Sequence, residues 1–396
     1  MMHPAPIDKG KLTFCTIKSK LYIELCTHTV KLCAKTVNFQ IKVNQKNIRI
    51  KDIAKMAGVS EGTVDRVLHN RGNISSQALI KVNEVLEKIH YKPNLIARSL
   101  GKGKNQSVAV IIPQPKIDPY WAEVELGIAQ AKDEWDNYGI AVVPYYYDHD
   151  GISAFETIAA EVLKSKPEGV VIAPIYYPQA LSALRLLHDQ KIPYVLFNDN
   201  IPESKPLSFI GQDLFQSGML AGQLMGLGLE GQGELTVLHV GEDVKDSVYL
   251  MEKEKGFREF FKKDNGLAVK ITSLNLDHNE KSFAKQIEKL LLNKNIKGLF
   301  VTTSKPIGLV ASIVEHSARK DIRLIGYDML EENLKYLKKG VIHFLINQNP
   351  KRQAFVGISH MANHLLFKKE VSAIELFPLE IITQQNVDSY IASGIH

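Results

Sequence analysis

The chain has 396 residues, 45% of them hydrophobic and 23% charged. That is an ordinary globular composition, long enough for two or three domains of about 100–200 residues each. No apolar run approaches the roughly 18 residues of a membrane span. The start, MMHPAPIDKGKLTFCTIKSK, lacks the apolar core and cleavage site of a secretory signal, so a cytoplasmic protein is expected. The formal net charge of +6 is unevenly placed: residues 1–45 hold seven Lys against two acids, and 46–106 hold twelve Lys or Arg against five. Residues 107–396 hold 30 basic against 36 acidic residues. A basic front on an acidic body points to a polyanion that meets only the front. All three cysteines (Cys15, Cys26, Cys33) lie in the first 33 residues. No disulfide framework and no paired-ligand zinc motif follows, and neither a metal nor a cofactor is expected.

Residues 1–46 are an N-terminal extension, rich in β-branched residues. A strand pair, a segment without fixed structure, and a start assigned too far upstream (with Val43 as the true one) all stay open.

Residues 47–104 have the pattern of a compact helical unit. IRIKDIAKMA places Ile50, Ile53, Ala54 and Ala57 at helical spacing. Gly58 offers a turn, and Ser60 is a good N-cap for a second helix because its hydroxyl accepts from a first-turn N–H. Ser75 caps a third helix. Ile74 and Leu79 are placed as its hydrophobic staple, and Leu79, Val82, Leu86 and Ile89 as its apolar stripe. YKPN ends it, since the residue before Pro93 is steered away from helix. NLIARSL is a short fourth piece, and GKGKNQ reads as a linker. Two short helices around AGVS in a basic block fit a recognition helix. On spacing alone, that reading and a plain helical bundle are equally open.

From residue 106 onward, unbroken apolar runs alternate with amphipathic stretches: SVAVIIP, IAVVPYYY, GVVIAPI, PYVLFND, LTVLHV, GLFVTT and IRLIGYD. This predicts parallel sheets covered on both faces, in two doubly wound lobes with ligands at the strands' carboxyl ends. GLGLEG, from Gly226 to Gly231, fits a dinucleotide-loop spacing but follows a helix and precedes a strand, the reverse of what that loop needs. It is read as a helix-ending loop. No nucleophile elbow, zinc-protease motif or P-loop is present, so no enzyme is expected.

The stretch IRIKDIAKMAGVSEGTVDRVLHNRGNISSQALIKVNEVLEKIHYKPNLIARSL resembles the DNA-binding headpiece of the LacI/GalR family of transcriptional regulators. The resemblance implies a helix-turn-helix headpiece at 47–104, with a hinge helix at 93–101. A two-lobed periplasmic-binding-protein-like domain would follow at 105–396. Its lobes are expected at about 106–207 with 348–370, and about 208–347 with 371–396. The resemblance further implies a homodimer on double-stranded operator DNA, controlled by a sugar-like effector. The alternative reading is a solute-binding protein without direct DNA regulation.

The same resemblance assigns residues. Ser60 and Thr63 stand at phosphate-binding hydroxyls, Glu61 and Gly62 where base-reading side chains follow the turn, and Arg66 further along the recognition helix. Asn70 belongs to the same region. Asn94, Ala97 and Leu100 match the hinge helix, whose leucine wedges into the minor groove; ordinary packing is the other reading of Leu100. Gly62 carries no side chain for this purpose, Asp65 replaces a serine and His69 an asparagine, so the operator is expected to differ from those of relatives. In the body, DPYWAEVELGI supplies Asp118, Tyr120 and Trp121, the two aromatics serving a sugar ring or else the core. Asn198, Asp213, Asp328 and Gln348 match polar ligand positions. Lys253 in KEKGF stands for an arginine and loses its bidentate fork. Ser304 stands for an asparagine or aspartate.

Overall fold

The computed structural model describes residues 50–68, 72, 74–89, 106–148, 152–227, 229, 232–241, 247–262 and 268–394. The chain divides into two compact units, Met1–Asn94 and Leu95–His396. Among the described residues no helix is long and apolar enough to cross a membrane.

The first unit contains α1 (Ile50–Ala57), α2 (Glu61–Leu68) and α3 (Ser76–Lys88). Each is too short to be stable alone, so the apolar stripes hold them together. Ile53, Ala54, Ala57, Val64, Val67 and Val82 are buried in one core, with Ile74, Val85, Leu86 and Ile89 packed on it. Gly58 sits at φ +62°, a left-handed turn residue, and lets Val59 N return to Ala54 O at 3.0 Å. Ser75 caps α3 through Ala78 N. Leu79 departs from expectation: it is 39% exposed, and Val85 takes its place in the stripe. The hinge segment 93–101 and the extension 1–46 lie outside the described residues.

The second unit carries two six-stranded sheets. The chain first builds β1 (Gln106–Pro113), α4 (Pro119–Asp136), β2 (Ile140–Tyr147), α5 (Ile152–Ser165), β3 (Gly169–Ile172), α6 (Tyr177–Asp189), β4 (Tyr194–Phe197) and β5 (Ser208–Gly211). It crosses to α7 (Leu214–Gly226), β6 (Gln232–Val240), α8 (Val248–Lys262), β7 (Ala268–Leu276), α9 (Phe283–Leu292), β8 (Ile296–Val301), α10 (Pro306–His316), β9 (Arg323–Tyr327), α11 (Glu331–Lys338) and β10 (Phe344–Asn347). It returns for α12 (Pro350–Phe367) and β11 (Ile374–Leu376), then crosses again to β12 (Glu380–Ile382) and α13 (Val387–Ser393).

The sheet orders are β11-β5-β4-β3-β1-β2 and β12-β10-β9-β8-β6-β7. All pairs are parallel except β10 with β12. Both orders reverse beside their first strand, at β1/β3 and β6/β8, and such switch points leave a crevice at the strands' carboxyl ends. The expected lobe boundaries need correction. Ser208–Gly211 and Ile374–Leu376 belong to the first sheet, where the sequence reading put both in the second. The segment from Gly226 ends a helix before β6, as expected.

Three short crossings join the lobes, at residues 212–213, 348–349 and 377–379. Gln212 ties them together: its buried Nε2 donates to Asn347 O and to Pro378 O, both at 2.9 Å.

Candidate functional site

In the first unit, Ser60 precedes α2 and its Oγ accepts from Thr63 N at 3.1 Å. The Ser60 and Thr63 hydroxyls lie 2.9 Å apart. Both side chains are thus engaged at the helix start, where first-turn N–H groups also favour an anion. Val64 and Val67 face the core, which leaves Glu61, Gly62 and Arg66 exposed. A Cβ at Gly62 would meet only Ser60 Oγ, at 3.9 Å. Asn70, Asn94, Ala97 and Leu100 lie outside the described residues.

In the second unit, a cleft of about 450 Å³ sits at both switch points, within the usual range for small-molecule sites. The walls come from the carboxyl ends of strands, the loops after them and the first turns of the helices that follow. On the first lobe, Asp118 caps α4 through Tyr120 N at 2.9 Å, with Pro119 at the first helical position. Tyr120 and Trp121 meet edge to face, 5.1 Å between centroids, and both are buried as well as lining the cleft. Tyr120 OH donates to Asn198 Oδ1 at 2.6 Å. Burial holds the phenol pKa well above its usual value, and Asp328, Asp199 and Asp118 push it the same way, so it stays a donor. Asn198 adopts φ +69°, a left-handed conformation that asparagine tolerates. Its N donates to Gln353 Oε1 at 3.0 Å, and its Nδ2 to Asp199 Oδ2 at 3.0 Å.

The second lobe contributes Lys253, Ser304 and Gln348. α7 and α8 pack almost backbone to backbone: a Cβ at Gly218 would lie 2.0 Å from Lys253 O, and one at Gly256 would lie 2.0 Å from Phe215 O. Those two glycines let Lys253 reach the cleft floor. Lys253 is 2% exposed, and its Nζ donates to Thr302 O at 3.2 Å and Gln348 Oε1 at 3.4 Å. It also sits 3.6 Å from the Tyr327 ring centroid, a cation–π contact. Asp328, at φ +63°, accepts from Gln348 N at 2.7 Å, Gln348 Nε2 at 2.6 Å and Ser304 Oγ at 2.5 Å. Burial raises its carboxyl pKa, against the pull of the Ser304 and Gln348 hydrogen bonds and of the Lys253 charge. Asn333 Nδ2 donates to Ser304 O, Tyr327 O and Asp328 O, fixing both strand ends. At the mouth, Lys305 Nζ reaches across to Ile117 O at 3.1 Å.

The structure therefore brings Asp118, Tyr120, Trp121, Asn198, Lys253, Ser304 and Gln348 into one cleft. Asp328 lies just behind its wall, bonded to two of the lining residues. Asp213 is not part of this lining. It is exposed, caps α7 through Gln216 N at 2.9 Å and faces a neighbouring cavity. Asp199, Tyr249, His278, Asn279 and Lys305 also line the cleft; the sequence marks Asp199 as a polar strand end without assigning it to the site, and the other four went unread. Asp199, beside Asn198 in FNDN, and Lys305, beside Ser304, had a signal in their position after a strand.

A second network, also missed, lies behind Thr302. His239 Nδ1 is 2.8 Å from Thr302 Oγ1, and its Nε2 is 2.6 Å from Glu254 Oε2. Glu254 further accepts from Arg258 Nε and Ser273 Oγ, both at 2.6 Å. Burial alone would raise its pKa, but the bonds from His239, Ser273 and Arg258, with the Arg258 charge, outweigh it and hold Glu254 at about 2.

The fold and cleft define a two-lobed ligand-binding protein fused to a small helical unit. The model of the family described as "Periplasmic binding protein domain" matches residues 108–369, more than half of the chain, and the chain belongs to this family. That of "Bacterial regulatory proteins, lacI family" matches residues 49–94, so the helical unit is a lacI-type helix-turn-helix domain.

Among curated relatives, the HTH-type transcriptional regulator MalR of Streptococcus pneumoniae is 27% identical over 43% of this chain and 51% of its own length. The chain thus spans about half the length of that relative. The sucrose operon repressor of Lactococcus lactis is 25% identical over 72% of this chain and 84% of its own length. Among solved structures, a LacI transcriptional regulator from Bacteroides fragilis aligns with TM-score 0.68 and 27% identity, covering 72% of this chain and all of that one. GanP, a glucose-galactose binding protein of Geobacillus stearothermophilus, shares the fold at TM-score 0.64 and 19% identity, over 72% of this chain and 99% of its own.

Proposed function

We propose that this protein is a cytoplasmic transcriptional regulator that binds operator DNA as a homodimer, its affinity set by a sugar-like ligand in the interlobe cleft. It works as a sensor and carries out no catalysis. The observation that supports this most is the pairing, in one chain, of a lacI-type helix-turn-helix with a two-lobed cleft lined by aromatic faces and hydrogen-bonding side chains. Ligand control requires only that the ligand binds the DNA-competent and DNA-incompetent forms with different affinity.

Selection of genomic fragments on the full-length protein tests the reading. A retained fragment is expected to lose affinity steeply as salt rises, because Lys and Arg release counterions from phosphates. Arg66→Ala is expected to weaken binding to that fragment by about 1–3 kcal/mol without changing ligand-induced stabilisation. Failure to retain any fragment, with or without sugars, would favour a solute-binding protein instead.

A further inference from the structure

We propose that the effector site has two compartments and that its ligand is a neutral glycoside of at least two sugar rings. This rests on the reading of the cleft as a sugar site.

Beside the central cleft lies a second cavity of about 360 Å³. Ile175, Asp199, Leu214 and Tyr249 line both, so the two compartments share a wall. The side cavity is built from apolar and aromatic groups, Tyr177, Phe209, Phe215 and Val248 among them. A pyranose ring presents flat C–H faces to such surfaces. Its rim explains otherwise unaccounted exposure: Val248, Ile374 and Leu376 are 42%, 56% and 50% exposed.

The charged groups that line this cavity are carboxylates. They are Asp199, Asp213 and Glu252, and among the described residues no Lys, Arg or His lines the cavity. Gln212 is 4% exposed and spends its Nε2 on the lobe crossings, while its Oε1 is buried with no partner among the described residues. Asn200 Oδ1 is in the same position. Sugar hydroxyls donate to carboxylates, whereas a phosphate or uronate would be repelled by three of them with no cation among the described lining residues to offset it. The second ring is therefore uncharged. A ligand filling both compartments touches both lobes on either side of the shared wall, so its length, and not only its first ring, decides how tightly it binds.

The test uses the full-length protein, thermal-shift screening and then calorimetry. The probes are glucose, galactose, xylose and arabinose, set against maltose, sucrose, lactose, cellobiose and xylobiose. At least one disaccharide is expected to bind about ten-fold tighter than either of its component sugars. Tyr177→Ala is expected to remove that advantage and leave monosaccharide affinity unchanged. Val248→Trp, at the exposed rim, is expected to do the same by filling the cavity without touching the core. Monosaccharides that bind as tightly as disaccharides, or variants that weaken both alike, overturn the second compartment and leave the sugar reading intact. No stabilisation by any sugar of either length overturns both.

Discussion

The two walls of the cleft are built on the same topology yet are chemically unlike. The first lobe presents aromatic faces and the carboxylates of Asp118 and Asp199, chained by bonds from Tyr120 to Asn198 and from Asn198 to Asp199. The second presents a buried cation, Lys253, beside Ser304, Asp328 and Gln348, which are already bonded to one another. One wall grips by surface and the other by a preassembled polar lattice. The difference teaches that a doubly wound lobe fixes where ligand groups stand and leaves their chemistry to a few loop residues.

Breaking the lattice is expected to have the largest effect. Asp328→Ala leaves Gln348 N, Gln348 Nε2 and Ser304 Oγ without their acceptor and Lys253 without its nearby counter-charge. A loss of about 3–5 kcal/mol in urea unfolding of the second unit is expected, with ligand-induced stabilisation abolished. An unchanged unfolding midpoint would show that the lattice holds nothing together.

The next effect sharpens the contrast by pH. Glu254 is held at about 2 against an ordinary 4.5. Its stabilisation is therefore complete above pH 4.5 and is lost as pH falls toward 2. The amount is on the order of 3 kcal/mol. Glu254→Gln is expected to flatten the stability profile between those limits, as read by denaturation at a series of pH values. A profile parallel to that of the parent protein would contradict the assignment.

The smallest effect belongs to the first wall. Tyr120→Phe removes one hydrogen bond, to Asn198, and keeps the ring. About 1 kcal/mol of folding stability should be lost in urea unfolding, because Asn198 Oδ1 loses this donor, with ligand affinity lowered by no more than that. A loss as large as that of Asp328→Ala would erase the distinction between the walls.

Much of this was legible in the sequence because the relevant signals are local. Ser60 and Ser75 announced helix starts by their hydroxyls, and DPYW placed an acid and two aromatics at the site. Interior strands such as SVAVIIP read clearly because both faces are buried. Of the four edge strands only β2 was read; β7, β11 and β12 were not, and neither was the short interior strand β5. AVKITSLNL alternates polar and apolar residues as the outer strand β7, and β11 and β12 are three residues long with a glutamate in each. Missing β5 and β11 as members of the first sheet moved the lobe boundaries. The His239–Glu254–Arg258 network joins residues from two strands and a helix, so no spacing within one segment could reveal it. Asp213 was a true signal with another use: an aspartate before a helix caps that helix.

The Gln212 amide adds a mechanical consequence. Three chain crossings fastened by one side chain act as a pivot and not as three independent tethers. A pivot forbids sliding and permits turning. Any turning of one lobe against the other passes through this junction a few residues wide, and Gln348, which lines the cleft, stands in one of its three crossings.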